Sequence, residues 1–103
     1  TTGLYFENEQ FKKGFDRITK KTKYFRFGGD CYMYGMIASG LIDIVIEDTL
    51  KIHDYMALIP VIEGAGGKIT DKYGKSIDFN SDGSVVATGN EILHQQVINL
   101  FNN

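Results

Sequence analysis

The sequence has 103 residues, room for one domain, and its 43% hydrophobic and 23% charged residues suit a globular chain with a modest core. Eleven Lys and Arg against thirteen Asp and Glu leave a formal charge of −2, the wrong balance for a phosphate-backbone binder, so no nucleic-acid partner is expected. The single cysteine, Cys31, excludes an intrachain disulfide and a cysteine zinc site; no apolar run approaches the ~18 residues of a membrane span, no signal-peptide pattern is present, and the expected compartment is cytoplasmic.

The chain starts Thr1-Thr2 without an initiator methionine, which fits either processing or a piece of something longer. Leu4-Tyr5-Phe6 reads as a strand end. Phe11, Phe15 and Ile18 then mark one face of a helix over 8–21, with Lys12, Lys13, Asp16, Arg17, Lys20 and Lys21 on its solvated side. Tyr24-Phe25-Arg26-Phe27 is a β-prone run ended by Gly28-Gly29. A helix is expected over 30–39, with Asp30 as N-cap and Gly40 as its C′ stop.

Leu41 to Ile46 is nearly continuous and β-branched, the pattern of a strand buried on both faces, and it ends at Glu47-Asp48. The stretch 54–64 is apolar almost all round, which predicts a central helix, and Pro60 within it predicts a kink. Gly66-Gly67 stops that helix before a strand at 68–71. Lys72 to Lys75 is a turn, Val85-Val86-Ala87 a further strand, and Asn90 caps a last helix with Ile92, Leu93, Val97, Ile98 and Phe101 facing inward. Strands alternating with helices imply one α/β domain over 1–103, with a mixed, mostly parallel sheet covered by helices on both faces in α-β-α layers.

In such sheets ligands collect beyond the carboxyl ends of the strands. Glu47 ends the hydrophobic strand and Asp54 opens the apolar helix seven positions later, so the loop between them can fold both carboxylates over one mouth. Asp54 at a helix start is held as the anion by the helix dipole, the form a hard cation such as Mg²⁺ binds; an ordinary cap explains it as well. Gly28-Gly29-Asp30 before a helix can turn backbone N–H groups toward an anion, or can be a plain turn. Glu63-Gly64-Ala65-Gly66-Gly67 follows a helix and precedes a strand, the reverse of a phosphate-cradling loop. His53 and His94 lack zinc-site companions; His53 is expected beside the site and His94 near solvent on the last helix. Cys31 is expected to pack as a small hydrophobe, and Tyr32 and Tyr34 to be core or rim aromatics.

Taken together, Asp54 to Asp71 resembles the second signature of the inositol monophosphatase superfamily, W-D-x-A-A followed by apolar residues and E-A-G-G. Arg26-Phe27-Gly28-Gly29-Asp30-Cys31-Tyr32 is similar to the R-x-G-G-D-C-Y segment of the histidinol-phosphatase-like branch. Ala38-Ser39-Gly40, Asp43, Glu47 and Gly89-Asn90 keep the family's register, so the resemblance runs over essentially all 103 residues. His53 stands where the family has an aromatic residue before its metal aspartate, and Met56-Ala57 where an alanine commonly follows.

The resemblance implies the sugar-phosphatase-like fold and a Mg²⁺-dependent phosphomonoesterase acting on inositol phosphate or histidinol phosphate, a small phosphorylated metabolite. It implies Asp54 as a metal ligand, Glu47 as a contact to substrate hydroxyl or amino groups, and Asp30, Gly28 and Gly29 beside the substrate. Arg26 would be structural or at a subunit edge. The family's other glutamate and its D-P-x-D-G-T motif are absent, since the sole proline, Pro60, follows Ile59. The sequence thus resembles the C-terminal half of such an enzyme, expected to be dimeric when whole and inactive as an isolated piece. A non-catalytic binding or dimerisation module on the same fold is the alternative, and an unrelated small nucleotide-binding α/β domain is disfavoured by the layout of the glycines.

Overall fold

A computed structural model of the chain describes residues 9–28, 31–48, 50, 51, 53 and 56–103. The expected strand at Leu4 to Phe6, together with Gly29, Asp30, Asp54 and Tyr55, lies outside the described residues. Helix α1 spans Glu9–Lys21 and buries Phe11, Gly14, Phe15 and Ile18, as the spacing predicted; Glu9 in its first turn and Lys20 and Lys21 in its last complement the helix dipole. Helix α2 spans Tyr32–Ala38 and buries Met33, Tyr34 and Ile37. Strand β1 covers Ile44–Glu47, helix α3 Leu58–Gly64, β2 Lys68–Thr70, β3 Val85–Thr88 and α4 Glu91–Phe101.

The strands pair in the order β1-β3-β2. Both pairings are antiparallel: Ile44 stands opposite Thr88 and Glu47 opposite Val85, while Lys68 stands opposite Thr88 and Thr70 opposite Val86. The expected mostly parallel sheet is therefore corrected to a small antiparallel one. The continuous apolar run at 41–46 had suggested parallel pairing, but only 44–47 is strand and Leu41 is 74% exposed. The segment Tyr24 to Phe27 carries no strand; Phe25 and Phe27 instead stack edge to face, 5.8 Å apart, over Phe15.

Successive residues of β3 enter different cores. Val85 and Ala87 join Met33, Tyr34 and Ile37 of α2, Val45 of β1 and Ile62 of α3. Val86 joins Phe11, Phe15 and Ile18 of α1, Ile46 of β1, and Val97, Ile98 and Phe101 of α4. The α2 and α3 helices both end in a Schellman motif. Gly40 and Gly66 take left-handed φ of 79° and 88°, and the next N–H reaches back to the carbonyl of Met36 or Ile62 at 2.9 Å. Pro60 lies in the first turn of α3, where its missing N–H removes no intrahelical bond, so the expected kink has no cause. Nor is α3 buried all round: Ile62 is enclosed, but Pro60 and Val61 face outward.

Candidate functional site

Alternation along β1 decides where its acidic end points. Val45 enters the core shared with α2 and α3, and Ile46 the core shared with α1 and α4. Glu47 therefore turns to the α2–α3 side, and it is only 5% exposed. A carboxylate buried to that degree at a strand end is held for its chemistry or its hydrogen bonds, because burial without partners is costly. The chain leaving it is pinned. The Leu50 N–H donates to the Gly83 carbonyl at 2.9 Å, and the Leu50 side chain packs on the α2–α3 core.

Gly28 lies exposed ahead of α2 with φ of 102°, and a Cβ there would meet nothing within 4 Å. Its backbone is open to an approaching group. Gly29, Asp30 and Asp54 fall outside the described residues, so of the expected constellation the structure places Glu47 and Gly28. His53 is exposed, and Cys31 is exposed rather than packed, because it only precedes α2 and offers no side-chain cap. Tyr34 is core and Tyr32 is rim, 76% exposed.

Two polar networks were not foreseen. The first lies where β3 begins. Asp82 accepts from the Ser84 hydroxyl at 2.5 Å and the Ser84 N–H at 2.9 Å, and pairs with Lys72 at 3.2 Å. Burial works against both ions. For Lys72 it is outweighed by the hydrogen bond and charge of Asp82, helped by Tyr73 and Asp48, so its pKa is raised. For Asp82 it is outweighed by the bonds from Ser84 and by Lys72, so its pKa is lowered. The Asp82-Gly83-Ser84 spacing, typical of an Asx turn, was the available signal. The second network centres on His94, expected near solvent but 4% exposed. Its Nε2 is 2.8 Å from the Thr70 hydroxyl and its Nδ1 3.1 Å from that of Thr88. Burial, with a smaller effect from Lys68, pushes its pKa down to about 4.

A hollow of about 290 Å³ between α1 and the end of α4 is lined by Lys13, Arg17, Lys72, Tyr73 and Asn102 among others. It lies on the α1–α4 side of the sheet, away from the side to which Glu47 turns. Its arginine is already engaged, donating from Nε to the Leu100 carbonyl at 2.8 Å and from the guanidinium to the Phe101 carbonyl. Those bonds cap α4.

A hard cation wants carboxylate oxygens, which Glu47, Asp48 and Asp54 can offer near the loop after β1. Among the described residues no group of three or more His, Cys, Asp or Glu side chains is placed to hold a metal ion. The donor chemistry fits Mg²⁺, and a full ligand set has to draw on residues beyond the described ones. No helix among the described residues is long and apolar enough to cross a membrane.

Comparison with known proteins identifies the family of the chain. Residues 3–103 match the inositol monophosphatase family. The chain is 43% identical to the bifunctional phosphatase IMPL2, chloroplastic, of Arabidopsis thaliana, over 95% of this chain and 30% of that protein. It is 36% identical to a histidinol-phosphatase of Mycobacterium tuberculosis, over 72% of this chain and 27% of that protein. Among solved structures, an inositol monophosphatase from Zymomonas mobilis superposes with a TM-score of 0.92 at 34% identity, over 99% of this chain and 40% of that one. The chain thus spans less than a third of the length of these two curated relatives, 30% and 27%.

Proposed function

From the premise that the chain belongs to the inositol monophosphatase family, we infer that it is the C-terminal part of a Mg²⁺-dependent phosphomonoesterase with a layered α-β-α fold. Its substrate is a small phosphorylated metabolite, histidinol phosphate or an inositol phosphate, met in the cytoplasm by a dimeric whole enzyme. The observation that carries this reading is Glu47, buried at the carboxyl end of β1 on the α2–α3 side.

Each residue has a distinct task in this reading. Glu47 accepts hydrogen bonds from substrate hydroxyls or pairs with a substrate ammonium group, which orients the non-reacting end of the molecule. Gly28 gives the substrate an approach to open backbone, and in this reading Gly29 and Asp30 also lie beside the substrate. Asp54 supplies one carboxylate to the metal. When bound, Mg²⁺ neutralises phosphoryl charge and activates the attacking water. Asp54 is one ligand of several, so the isolated chain is expected to show no appreciable turnover.

The test places the 103 residues in the matched stretch of the Arabidopsis relative and follows phosphate release with Mg²⁺. Asp54→Asn is expected to abolish turnover. Glu47→Gln is expected to lower kcat/KM by roughly 10- to 100-fold, the loss of one charge-assisted contact of about 1.5–3 kcal/mol. Turnover by the isolated chain, or full activity of the Glu47→Gln chimera, overturns the assignment.

A further inference from the structure

Positive charge gathers at one place in a chain whose acidic residues outnumber its basic ones. Gln10, Lys13 and Arg17 are spaced three and four apart, so they share one face of α1. Between that face, the segment after β2 and the end of α4 lies the hollow of about 290 Å³. Lys13, Arg17 and Lys72 all line it, and no Asp or Glu does. The buried rings of Phe11 and Phe101, which meet edge to face, add an apolar part to the lining.

The walls are fixed before any ligand arrives. Helix α1 approaches the end of α4 so closely that a Cβ on Gly14 would sit 2.8 Å from both the ring and the carbonyl of Phe101. The bonds from Arg17 to the Leu100 and Phe101 carbonyls hold its guanidinium in place. They use two of its five N–H donors, and three remain. Asn102 donates from its side-chain amide to the Lys72 carbonyl at 2.7 Å, which ties α4 to the segment after β2. Lys72 itself is only 9% exposed, rare for a lysine, and Asp82 at 3.2 Å offsets its charge. Lys13 and Arg17 have no ion pair among the described residues. Two positive charges therefore stand without a counter-charge at a partly apolar hollow, where water screens them less than on an open surface.

We propose that this hollow is a binding site for a phosphate dianion, free or carried as the monoester of a small metabolite. Arg17 offers its remaining N–H groups in the planar fork that suits phosphate oxygens, and Lys13 and Lys72 add point charges. A phosphate group carries about −1.5 to −2 charge at pH 7, which balances the two cations that Asp82 leaves unpaired. A carboxylate would balance only one of them. At about 290 Å³ the hollow is at the lower end of ligand pockets, so any carrier of the phosphate is small. The site lies on the α1–α4 side of the sheet, away from the side to which Glu47 turns. Its occupant leaves the candidate active site open, and the proposal does not rest on the phosphatase reading.

The experiment titrates the ¹⁵N-labelled 103-residue chain with inorganic phosphate and, separately, with phenyl phosphate. The buffer is free of Mg²⁺, and chloride holds the ionic strength constant. Saturable shifts are expected at the Arg17 Nε–H and at the backbone N–H groups of Tyr73, Asn102 and Asn103, with a Kd of roughly 0.1–10 mM. Lys13→Gln, at an exposed position, is expected to raise that Kd about two- to fivefold. Arg17→Lys keeps the charge but loses the fork, and is expected to raise it about tenfold or more. Lys12→Gln, on the same helix but outside the hollow, is expected to leave it unchanged. Tighter binding of phenyl phosphate makes an esterified metabolite the occupant and equal binding makes it free phosphate; both support the site. Shifts that never saturate, that sodium chloride alone reproduces, or that Lys12→Gln weakens as much as Lys13→Gln overturn the proposal. So does saturation centred on Gly28 and Glu47 with no response in the hollow.

Discussion

A neutral imidazole has one N–H, and His94 has two hydroxyls to satisfy. With the proton on Nε2, the ring donates to the Thr70 oxygen, whose own hydrogen goes to the Asp71 carbonyl at 2.8 Å. Nδ1 then accepts from Thr88, whose hydroxyl otherwise bonds the Asn90 carbonyl at 2.9 Å. One ring therefore joins β2, β3 and the start of α4. Protonation breaks this pattern. The folded-state pKa lies at about 4, below the ordinary 6.5, so the stabilisation is present in full above 6.5 and is lost as pH falls toward 4. The full loss is about 3 kcal/mol at the linkage rate of 1.36 kcal/mol per pKa unit. Denaturant titrations at pH 7, 5.5 and 4 measure it, and His94→Gln is expected to flatten the slope across that window. Asp82, whose pKa is lowered from 3.8, contributes stability that disappears only at more acid pH, so the two groups separate on the pH axis.

His94 was misjudged for a physical reason. It follows Leu93 and precedes Val97 on the inward stripe of α4, so periodicity allowed burial; what it lacked was a visible partner. Thr70 and Thr88 lie on strands whose pairing no local pattern reveals. The position of Glu47 at the end of β1 was easier to read, because a carboxylate that ends an apolar strand stands out against its neighbours.

At the scale of elements, the end of α3 holds a close approach of two backbones. A Cβ on Gly67 would sit 2.5 Å from the Thr88 carbonyl and 2.9 Å from the Ile62 side chain. Gly67→Ala is expected to cost about 1–3 kcal/mol, because backbone rather than a flexible side chain must move. Gly64→Ala, three residues earlier in open space, is expected to be neutral or slightly stabilising in the isolated chain. Thermal melts of the two variants side by side give the check. Helix α1 and the cap of α4 were readable: the Asn90 cap accepts from the Leu93 N–H at 2.7 Å, and Phe11, Phe15 and Ile18 are buried as their spacing required. Ile92, expected to face inward, is instead 78% exposed, because the buried stripe of α4 runs through His94, Val97, Ile98 and Phe101 and Ile92 falls off it. Strand direction was not readable. Apolar continuity reports burial, whereas parallel or antiparallel pairing depends on which strands meet.

At the scale of the molecule, the sheet separates two cores that share β3. Ile62 is fully enclosed on one side and Phe11 on the other. Ile62→Ala is expected to cost about 2–5 kcal/mol and Phe11→Ala about 3–5 kcal/mol. With no residue shared between their clusters, the double variant is expected to show the sum within about 0.5 kcal/mol, provided enough stability remains for a folded baseline. Chemical denaturation read by circular dichroism decides this. A large departure from the sum would mean that the sheet transmits strain from one core to the other.

The strand order also sets a timetable. The strand made last, β3, lies between two that were made earlier, and each of those pairs with it and not with the other. Until residues 85–88 leave the ribosome, the ladders described for β1 and β2 cannot form. Every rung of this sheet then joins residues 16 to 44 positions apart. Synthesis can advance by more than three quarters of this chain with the sheet of the described residues still unmade. During that interval the apolar strands depend on the helices, or on a chaperone, to shield them.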